Sequence, residues 1–340
     1  MELHGASLTM AVSKSKKSGT SHTAPTPPLP ASHELSDATL TERPPEGASV
    51  DSIRNSLHAA VKSLGEHFTN KSFPFIETGF KCLDDYGYLR LRPGELTLVA
   101  ARPGLGKTSF LLSLISKLCF DQMRAVLLFN FMSSKQKTTE HIICHEADID
   151  IRLLESAWLA KEQWISLAKA AGRIEDAPLW IEDSPSLLIN HIESKSVEWL
   201  HNRSRPNGHG ELQRLIFIDG MRSIQSEQRY VSRVQEVGDV SRRLKALARK
   251  LNVPIVVTVG VSEWVERPRA NPSHLLSDLH ETDGGLEEDA DNVLFICRDE
   301  LEANEEFAVS KRKIIVAKNR SGPTGSVYLD LHKQYMKLSE

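Results

Sequence analysis

Two kinds of hydrophobic pattern alternate along the chain from about residue 73 onward. Continuous Val, Ile and Leu runs are typical of strands buried on both faces of a mostly parallel sheet. We predict such strands at Leu96–Ala100, Ala125–Phe131, Leu179–Glu182, Leu215–Asp219, Ile255–Val259, Val293–Cys297 and Ile314–Ala317. Apolar residues at helical spacing predict helices at Ser109–Leu118, Arg152–Ala171 and Tyr230–Leu251. The alternation indicates an α/β domain with a mostly parallel central sheet, flanking helices and ligand chemistry at the carboxyl ends of the strands.

The first part of the chain does not share this alternation. Ser, Thr, Ala and Pro dominate residues 1–50, and such a segment buries too little apolar surface to offset its ordering entropy, so we predict a disordered tail. Residues 51–72 are predicted to form an amphipathic linker helix that docks on a neighbouring subunit or folds back. Its apolar positions, at helical spacing, are Val50, Ile53, Leu57, Val61 and Leu64. Residues 73–340 then form the α/β domain.

Composition narrows the class of protein. The net charge of the 340 residues is -3, so contact with a nucleic acid requires a local basic patch and not a global field. The 4 cysteines lie far apart, and neither they nor the 13 histidines show metal-binding spacing. No apolar run reaches membrane length. We therefore expect a reduced cytoplasmic protein with no membrane contact.

The segment "LTLVAARPGLGKTSFLLSLISKLCF" has the order strand, glycine loop, Lys-Thr and apolar helix. Glycines let backbone N–H groups turn toward an anion, a lysine supplies charge to the β- and γ-phosphates, and a threonine hydroxyl can bind Mg²⁺. The first glycine of the usual phosphate-loop pattern is here Ala101. A glycine turn without a ligand is the alternative, and the flanking strand and helix argue against it. We predict that ATP binds to Arg102, Pro103, Gly104, Leu105, Gly106, Lys107, Thr108 and Ser109.

A metal-binding carboxylate is predicted at the end of another buried strand. In "RLIFIDG" the strand closes on Asp219, which can hold Mg²⁺ or its water at the carboxyl edge of a parallel sheet. An Asp in this position is mostly structural in α/β proteins, but the upstream phosphate loop favours the functional interpretation. Thr108 and Asp219 are therefore the predicted Mg²⁺ ligands.

Four segments in the same order resemble the C-terminal motor domain of DnaB-type replicative helicases. They are "TGFKCLDDYGYLRLRPGELTLVAARPGLGKTSF", "SRRLKALARKLNVPIVV", "EEDADNVLFICRDE" and "IIVAKNRSGPTGSVYLDL", and the resemblance covers about Ile76 to Ser339. It implies a RecA-like P-loop ATPase core and ring hexamers around single-stranded DNA. In this family ATP lies between subunits, and the neighbouring subunit supplies a lysine and an arginine.

The resemblance places the two cations that act on the neighbour's nucleotide at Lys318 and Arg320. They are two residues apart in "IIVAKNRSGP", so on an extended segment both point the same way. A cation delivered across an interface stabilises charge on the transferred γ-phosphoryl group. A solvent-facing basic hairpin is the alternative for an isolated Lys-x-Arg. With Lys107 and Asp219, these two residues complete the predicted catalytic set.

Two elements of the hydrolytic site depart from the family pattern. Met132 stands where the family has a glutamate that polarises the attacking water, and Glu140 could replace it only through an unusual backbone path. A thioether accepts no proton at neutral pH, so general-base assistance should be missing. Gly260 and Val261 stand where the family has a glutamine that senses the γ-phosphate. Gly220 also replaces the residue that usually follows Asp219.

Contacts to DNA are predicted in two segments that resemble the family's DNA-facing loops. Arg222 and Arg229 follow the strand that ends in Asp219, and Arg267 and Arg269 lie in a loop with a one-residue insertion. In the long helix after Arg229 we expect a core face formed by Val231, Val234, Val237, Val240, Leu244, Leu247 and Leu251. The basic residues between them, Arg242, Arg243, Lys245, Arg249 and Lys250, are expected mostly on its outer surface.

These features support two hypotheses of different classes. The first is a DnaB-like ATPase that uses ATP and Mg²⁺ and acts on single-stranded DNA in replication as an oligomer, with weakened hydrolysis. The second is a nucleotide-binding accessory protein, or pseudo-helicase, that docks on a replication partner. A mixed ring with a related helicase reconciles them. We find no counterpart of the family's N-terminal collar domain, which disfavours a stand-alone helicase, and another RecA-like ATPase such as a recombinase fits the four segments less well.

Overall fold

The computed structural model describes residues 52–70, 74–156, 158–185, 188–201, 213–261, 275–277, 279, 285–298 and 309–340. The predicted tail at residues 1–50 lies outside this range. The chain divides into two compact units, Met1–Ser63 and Leu64–Glu340. Helix α1 spans Ile53–Asn70, within the segment for which a linker helix is predicted.

A nine-stranded sheet forms the centre of the second unit, in the order β11-β10-β9-β8-β3-β7-β6-β4-β5. The strands from β8 to β5 in that order are parallel, whereas β9, β10 and β11 continue the sheet as antiparallel neighbours. The strands are β3 (Leu96–Ala101), β4 (Ala125–Asn130), β5 (Leu179–Glu182), β6 (Arg214–Asp219), β7 (Ile255–Gly260), β8 (Asn292–Arg298), β9 (Val309–Asn319), β10 (Gly325–His332) and β11 (Lys337–Ser339). A separate ribbon pairs β1 (Ile76–Glu77) with β2 (Arg90–Leu91).

Helices cover both faces of this sheet, and each face has its own hydrophobic core. Residues of α3 pack on one face with the inner side of β9 and β10, and residues of α8 pack on the other. The helices are α2 (Lys81–Asp84), α3 (Lys107–Ile115), α4 (Lys135–Ala147), α5 (Ile151–Glu155), α6 (Lys161–Glu175), α7 (Ile189–His201), α8 (Arg233–Leu251) and α9 (Leu286–Asp289). The predicted α/β class with a mostly parallel sheet is confirmed. No described helix has both the length and the apolar character that a membrane crossing needs.

The single helix predicted at Arg152–Ala171 is wrong, because the chain forms α5 and α6 there. The Ser156 hydroxyl donates to the carbonyl of Leu153 at the end of α5. Gln163 accepts a hydrogen bond from the backbone N–H of Ala160 at the start of α6, which is a typical stabilising contact at a helix N-terminus. The periodicity of apolar residues continues across this break and conceals it. Helices α4 and α7 were not predicted.

The predicted core face of α8 is wrong at its first two positions. The side chain of Val231 is 98% exposed and that of Val234 is 40% exposed. The helix begins only at Arg233, after Ser232, whose hydroxyl accepts a hydrogen bond from the Gln235 N–H. Val231 therefore lies before the helix and cannot share its buried face. The later positions follow the prediction, and those that are buried are Val237, Val240, Leu244 and Leu247.

Two basic residues of α8 form ion pairs, although they were predicted to lie mostly on its solvated outer surface. Lys245 is partly buried and its ammonium lies 2.5 Å from Asp291 Oδ2. Arg243 forms ion pairs with Glu193 at 2.7 Å and with Glu227 at 2.8 Å. Helical spacing alone could not reveal these partners, because they belong to other elements of the fold.

Candidate functional site

The glycine loop at residues 102–106 connects the carboxyl end of β3 to the first turn of α3. Gly104 and Gly106 have φ angles of 80° and 100°, in the left-handed region that side chains with a Cβ rarely adopt. A Cβ built on Gly104 would meet no described atom within 4 Å. The backbone at Gly104 is therefore accessible, and the N-terminus of α3 directs its N–H groups and its dipole toward the same region.

Lys107 lies over this loop and not away from it. Its ammonium donates to the carbonyl of Ala101 at 2.7 Å and to that of Arg102 at 2.9 Å. Burial lowers the pKa of Lys107, and the nearby Asp219 carboxylate opposes that effect. The positive charge is thus held at the loop by weak carbonyl acceptors, which a phosphate can replace.

Asp219 lies at the carboxyl end of β6, and its two oxygens have different partners. Thr108 donates from Oγ1 to Asp219 Oδ2 at 2.9 Å. Thr258, on the neighbouring strand β7, donates from Oγ1 to Asp219 Oδ1 at 2.6 Å and accepts from the Gly220 N–H at 2.8 Å. The predicted metal ligands Thr108 and Asp219 therefore lie together, 111 residues apart in the chain.

Thr258 was not predicted as a site residue. Its signal is slight, a single hydroxyl in the apolar run "IVVTV" that forms a buried strand. A polar side chain at 1% exposure needs a hydrogen-bond partner, but the sequence does not say which one.

The donor set fits Mg²⁺ better than a transition metal. A hydroxyl and a carboxylate are hard oxygen ligands, and Mg²⁺ commonly takes one or two protein ligands together with phosphate oxygens and water. In the described part of the chain no group of three or more His, Cys, Asp or Glu side chains could hold a metal.

Met132 lies just beyond β4, near the turn that follows Asp219, where a Cβ built on Gly220 would lie 3.7 Å from its side chain. Asn130 pairs with Asp219 across the two strands, and its Oδ1 accepts from the Met132 N–H at 3.0 Å. The Met132 side chain is 69% exposed, and its sulfur lies 3.5 Å from the Ser223 hydroxyl. Glu140 lies on α4, where its carboxylate accepts from the Gln136 amide one turn earlier at 3.0 Å. The turn after Asp219 thus contacts a thioether.

The other departure from the family pattern involves Gly260 and Val261, and these two residues have different environments. Gly260 pairs with Ala101 at the end of β3, and a Cβ built on it would meet no described atom within 4 Å. Val261 is 6% exposed and packs in the core on the α8 face, while its N–H donates to the carbonyl of Ala101 at 3.1 Å. Among the described residues, the space next to the glycine loop is therefore at Gly260.

Lys318 and Arg320 lie at the amino ends of the parallel strands, whereas the glycine loop lies at the carboxyl ends. Lys318 pairs with Val293 near the amino end of β8, and the Arg320 N–H donates to the carbonyl of Asp291. Since β8 runs parallel to β3, both cations lie near the amino end of β3. The strand from Leu96 to Ala101 corresponds to about 16 Å at the usual rise of a strand. Neither cation lies near the glycine loop of its own chain.

Of the residues predicted to contact DNA, Arg222 and Arg229 are described and exposed. Arg222 lies in a 3₁₀ turn, Met221–Ser223, whose backbone is held by Arg233 through a hydrogen bond to the Arg222 carbonyl at 2.6 Å. Arg267 and Arg269 lie outside the described residues. The assignment of all four residues to DNA stays a prediction.

Comparison with known proteins identifies the family. The profile of the DnaB-like helicase C-terminal domain matches residues 76–340. The chain is 35% identical over 265 residues to the replicative DNA helicase DnaB of Geobacillus stearothermophilus, covering 77% of this chain and 56% of that protein. It is 33% identical to the replicative DNA helicase DnaC of Bacillus subtilis, with the same coverage. The chain thus spans little more than half the length of these curated relatives.

Two solved structures share the fold. One, described as an ATPase domain, superposes with a TM-score of 0.72 at 28% identity, covering 86% of this chain and 99% of that one. A DnaB-like replicative helicase, described with its interactions with primase, superposes with a TM-score of 0.70 at 28% identity, covering 86% of this chain and 67% of that one. The chain therefore belongs to the DnaB-like helicase C-terminal domain family and has its RecA-like fold.

Proposed function

We propose that this protein is a DnaB-like ATPase that binds ATP with Mg²⁺, assembles as an oligomer and acts on single-stranded DNA in cytoplasmic DNA replication, with weakened hydrolysis. The observation that carries the proposal is the 2.9 Å contact between Thr108 and Asp219 beside the Lys107 ammonium. A phosphate-binding lysine, a hydroxyl and a carboxylate form one cluster at the carboxyl edge of the sheet. Bound Mg²⁺ would neutralise charge on the β- and γ-phosphates.

Each residue of the loop has a distinct task in this proposal. The backbone of residues 102–109 surrounds the phosphates, and Lys107 exchanges its two carbonyl acceptors for phosphate oxygens. Thr108 and Asp219 hold the metal ion, and Thr258 keeps the Asp219 carboxylate oriented. The buried setting of Asp219, at 6% exposure, strengthens these electrostatic contacts.

Weak hydrolysis follows from the side chain at Met132, near the turn after Asp219. The Met132 sulfur cannot take a proton from the attacking water at neutral pH, and a positioned base is worth about 10²- to 10⁴-fold in rate. Val261 is buried and offers no hydrogen bond to the γ-phosphate. Nucleotide binding is therefore kept while the water-activating part of the site is weakened.

An oligomer is supported by the separation of the cations from the loop. Lys318 and Arg320 lie at the amino edge of the sheet and the loop lies at the carboxyl edge, so the cations of one subunit can serve only a nucleotide held by another subunit. Arginines supplied in this way contribute about 10³- to 10⁵-fold to catalysis of phosphoryl transfer. A ring, made of this chain alone or mixed with a related helicase, brings the two edges together.

The DNA contacts in this proposal are made to phosphates. The exposed Arg222 and Arg229, with Arg267 and Arg269, would contribute sequence-independent affinity that falls with salt. This fits a motor that moves along any sequence. In the same proposal, the N-terminal linker helix docks on a neighbouring subunit or folds back, and the chain contacts a replication protein.

A second candidate is an accessory pseudo-helicase that binds ATP·Mg²⁺ as a switch and docks on a replication partner. The exposed Met132, where a basic carboxylate is needed, favours it. In a mixed ring, Lys318 and Arg320 of this chain would complete the intact site of a related helicase while its own site turned over slowly.

Binding and turnover together test the proposal. The full chain should bind a fluorescent ATP analogue with Mg²⁺ at micromolar concentration, Lys107→Ala should abolish binding, and the exposed-surface variant Lys161→Ala should not change it. Steady-state turnover near the ordinary enzyme median of about 10 s⁻¹ would contradict the weakened site. Sedimentation with ATP and then with single-stranded DNA separates a ring-forming motor from a monomeric switch.

A further inference from the structure

Asp291 is a buried carboxylate with no role in the nucleotide pocket. It lies between α9 and β8, at the amino edge of the sheet, and is 2% exposed. A carboxylate at this depth is costly unless charged or polar partners surround it. Its partners therefore indicate what it does.

Both carboxylate oxygens of Asp291 have partners, and the partners come from three elements. Oδ2 accepts from the Leu96 N–H at 2.8 Å and from the Lys245 ammonium at 2.5 Å. Oδ1 lies 3.2 Å from NH1 of Arg320. Backbone hydrogen bonds join the same residues. The Asp291 N–H donates to the Leu96 carbonyl at 2.9 Å, and the Arg320 N–H donates to the Asp291 carbonyl at 3.0 Å.

The hairpin that carries Arg320 is anchored on both sides of that residue. The Asn319 side-chain amide donates to the carbonyls of Gly87, Tyr88 and Pro323 at 3.1 to 3.2 Å. The Ser321 hydroxyl donates to Glu95 Oε1 at 3.0 Å. Gly322 is packed so closely that a Cβ would lie 2.8 Å from the Gly87 carbonyl oxygen. The backbone at Arg320 is therefore fixed.

The Arg320 side chain is nevertheless 57% exposed. A guanidinium has five N–H donors, and the contact to Asp291 engages one nitrogen. One guanidinium nitrogen thus lies against a buried carboxylate, while more than half of the side chain is exposed. A cation that must reach a phosphate on another subunit needs this combination, because each side-chain torsion that is already fixed reduces the entropy lost on assembly.

We propose that Asp291 is a positioning residue for Arg320, which it holds at the amino edge of the sheet for delivery to the neighbouring subunit. The inference rests on the proposed function, in which Arg320 acts on the neighbour's nucleotide. Through the Leu96 N–H, the same carboxylate also joins Arg320 to the start of β3, whose other end leads into the glycine loop. One strand thus connects the chain's own nucleotide loop to the cation that it presents.

A purely structural role for Asp291 makes a different prediction. If the carboxylate only neutralises Lys245 and closes the start of β3, its loss should affect the pocket of its own chain and not that of the neighbour. An experiment must therefore place the substitution on a chosen side of the interface.

Two variants determine which subunit of an interface holds the nucleotide and which one supplies the arginine. Lys107→Ala cannot hold nucleotide but offers an intact Arg320, and Arg320→Ala holds nucleotide but offers no arginine. In an equimolar mixture, a complete site forms only where the first variant's amino edge meets the second variant's pocket. The readout is the affinity for fluorescent ADP with aluminium fluoride and Mg²⁺, which imitates the transferred phosphoryl group, compared with the affinity for fluorescent ADP alone. This comparison of affinities does not depend on turnover of ATP.

Asp291→Asn added to the Lys107→Ala chain should weaken the aluminium fluoride complex at least tenfold and leave ADP affinity unchanged. The same substitution in the Arg320→Ala chain should change neither. Lys245→Met in the Lys107→Ala chain is the matched control, since it removes the other cation on Asp291, and it should keep most of the affinity. Thermal melting checks that each chain folds.

The outcomes separate the two proposals. If Arg320→Ala alone does not weaken the aluminium fluoride complex, the proposed shared site is wrong and the inference falls with it. Three results would overturn only the inference, provided that Arg320→Ala does weaken the complex. In the first, Asp291→Asn in the Lys107→Ala chain does not change the affinity, and in the second, the same substitution in the Arg320→Ala chain weakens it equally. The third result is an equal loss of affinity with Lys245→Met. Should Asp291→Asn not fold, Asp291→Glu, which keeps the charge and displaces it by one methylene, is used in its place. Undiminished affinity with that variant overturns the inference.

Discussion

Thr258 donates a 2.6 Å hydrogen bond to Oδ1 of Asp219, across two adjacent strands of the sheet. The same hydroxyl oxygen accepts from the Gly220 N–H, so Thr258 links the carboxylate to the turn that follows it. The other oxygen of Asp219 is bonded to Thr108 of the glycine loop. The carboxylate is therefore oriented from both sides by other residues of the chain.

Thr258→Val should remove this support while keeping the shape of the side chain. Leaving a buried acceptor and the Gly220 N–H without their partner should cost about 1–3 kcal/mol of the free energy of unfolding. The Mg²⁺ dependence of ATP binding should shift to higher Mg²⁺, because the carboxylate is no longer oriented. Urea unfolding and titrations of fluorescent ATP at several Mg²⁺ concentrations measure both effects. Thr258→Ser keeps the hydroxyl and should lie close to the unsubstituted protein; equal losses in both variants would exclude the hydrogen bond as the cause.

Met132→Glu should raise the rate of ATP hydrolysis. The new carboxylate would lie on an exposed side chain near the turn after Asp219, where it can act as a general base worth about 10²- to 10⁴-fold. Steady-state phosphate release with Mg²⁺ and single-stranded DNA measures it. Met132→Gln has the same size as the glutamate without its basicity and should stay at the original rate. A glutamate variant no faster than the glutamine variant would mean that the site is altered beyond this position.

ATP affinity should decrease at alkaline pH earlier than it would for an ordinary lysine. Burial lowers the pKa of Lys107 in the free pocket, and bound phosphates favour its ammonium form and raise that pKa again. Affinity is therefore complete below the pKa of the free pocket and falls as pH rises through it. Fluorescent ATP titrations from neutral to alkaline pH test this. Lys107→Arg stays charged and should give a flat profile, and a parallel decline in that variant would assign the pH dependence to another group.

Gly260 and Val261 should differ in their tolerance of glutamine. A side chain on Gly260 would extend from a position with no described atom within 4 Å of its Cβ, so Gly260→Gln should change stability little. Val261 is 6% exposed, and Val261→Gln would bury an amide without a partner at a cost of about 1–3 kcal/mol. Urea unfolding of the two variants compares them directly. Equal stability would show that the end of β7 accommodates polar groups on both sides.

Arg229→Ala should weaken binding to single-stranded DNA uniformly across sequences. Arg229 is exposed in the segment between β6 and α8, and removing one phosphate interaction with a single strand lowers the salt slope of binding by about 0.7. Fluorescence anisotropy with several oligonucleotides at a series of salt concentrations measures the slope. Lys161→Ala on α6 is the matched control and should leave the slope unchanged. A decrease in affinity confined to one sequence would indicate that Arg229 binds a base.

Several elements could be predicted because their signals are local. The strand at Leu96 and the strand that ends in Asp219 are continuous apolar runs, and the glycine loop needs left-handed backbone at Gly104 and Gly106. These properties involve neighbours in the chain, so they can be predicted without knowledge of the fold. Where the local signal was ambiguous, as in the unbroken periodicity across α5 and α6, the prediction failed.

The sequence by itself determined the α/β class, the phosphate loop, the carboxylate at Asp219 and the thioether at Met132, because side-chain chemistry and short-range periodicity are properties of the chain. Only the tertiary structure decided that Thr258 contacts Asp219, that Val261 is buried while a Cβ on Gly260 would meet no described atom within 4 Å, and that Asp291 lies against Arg320. The order of strands decides these contacts. It brings residues 39 positions apart, such as Thr258 and Asp219, within hydrogen-bonding distance, and the direction of the strands places Arg320 at the end of the parallel strands opposite to Lys107.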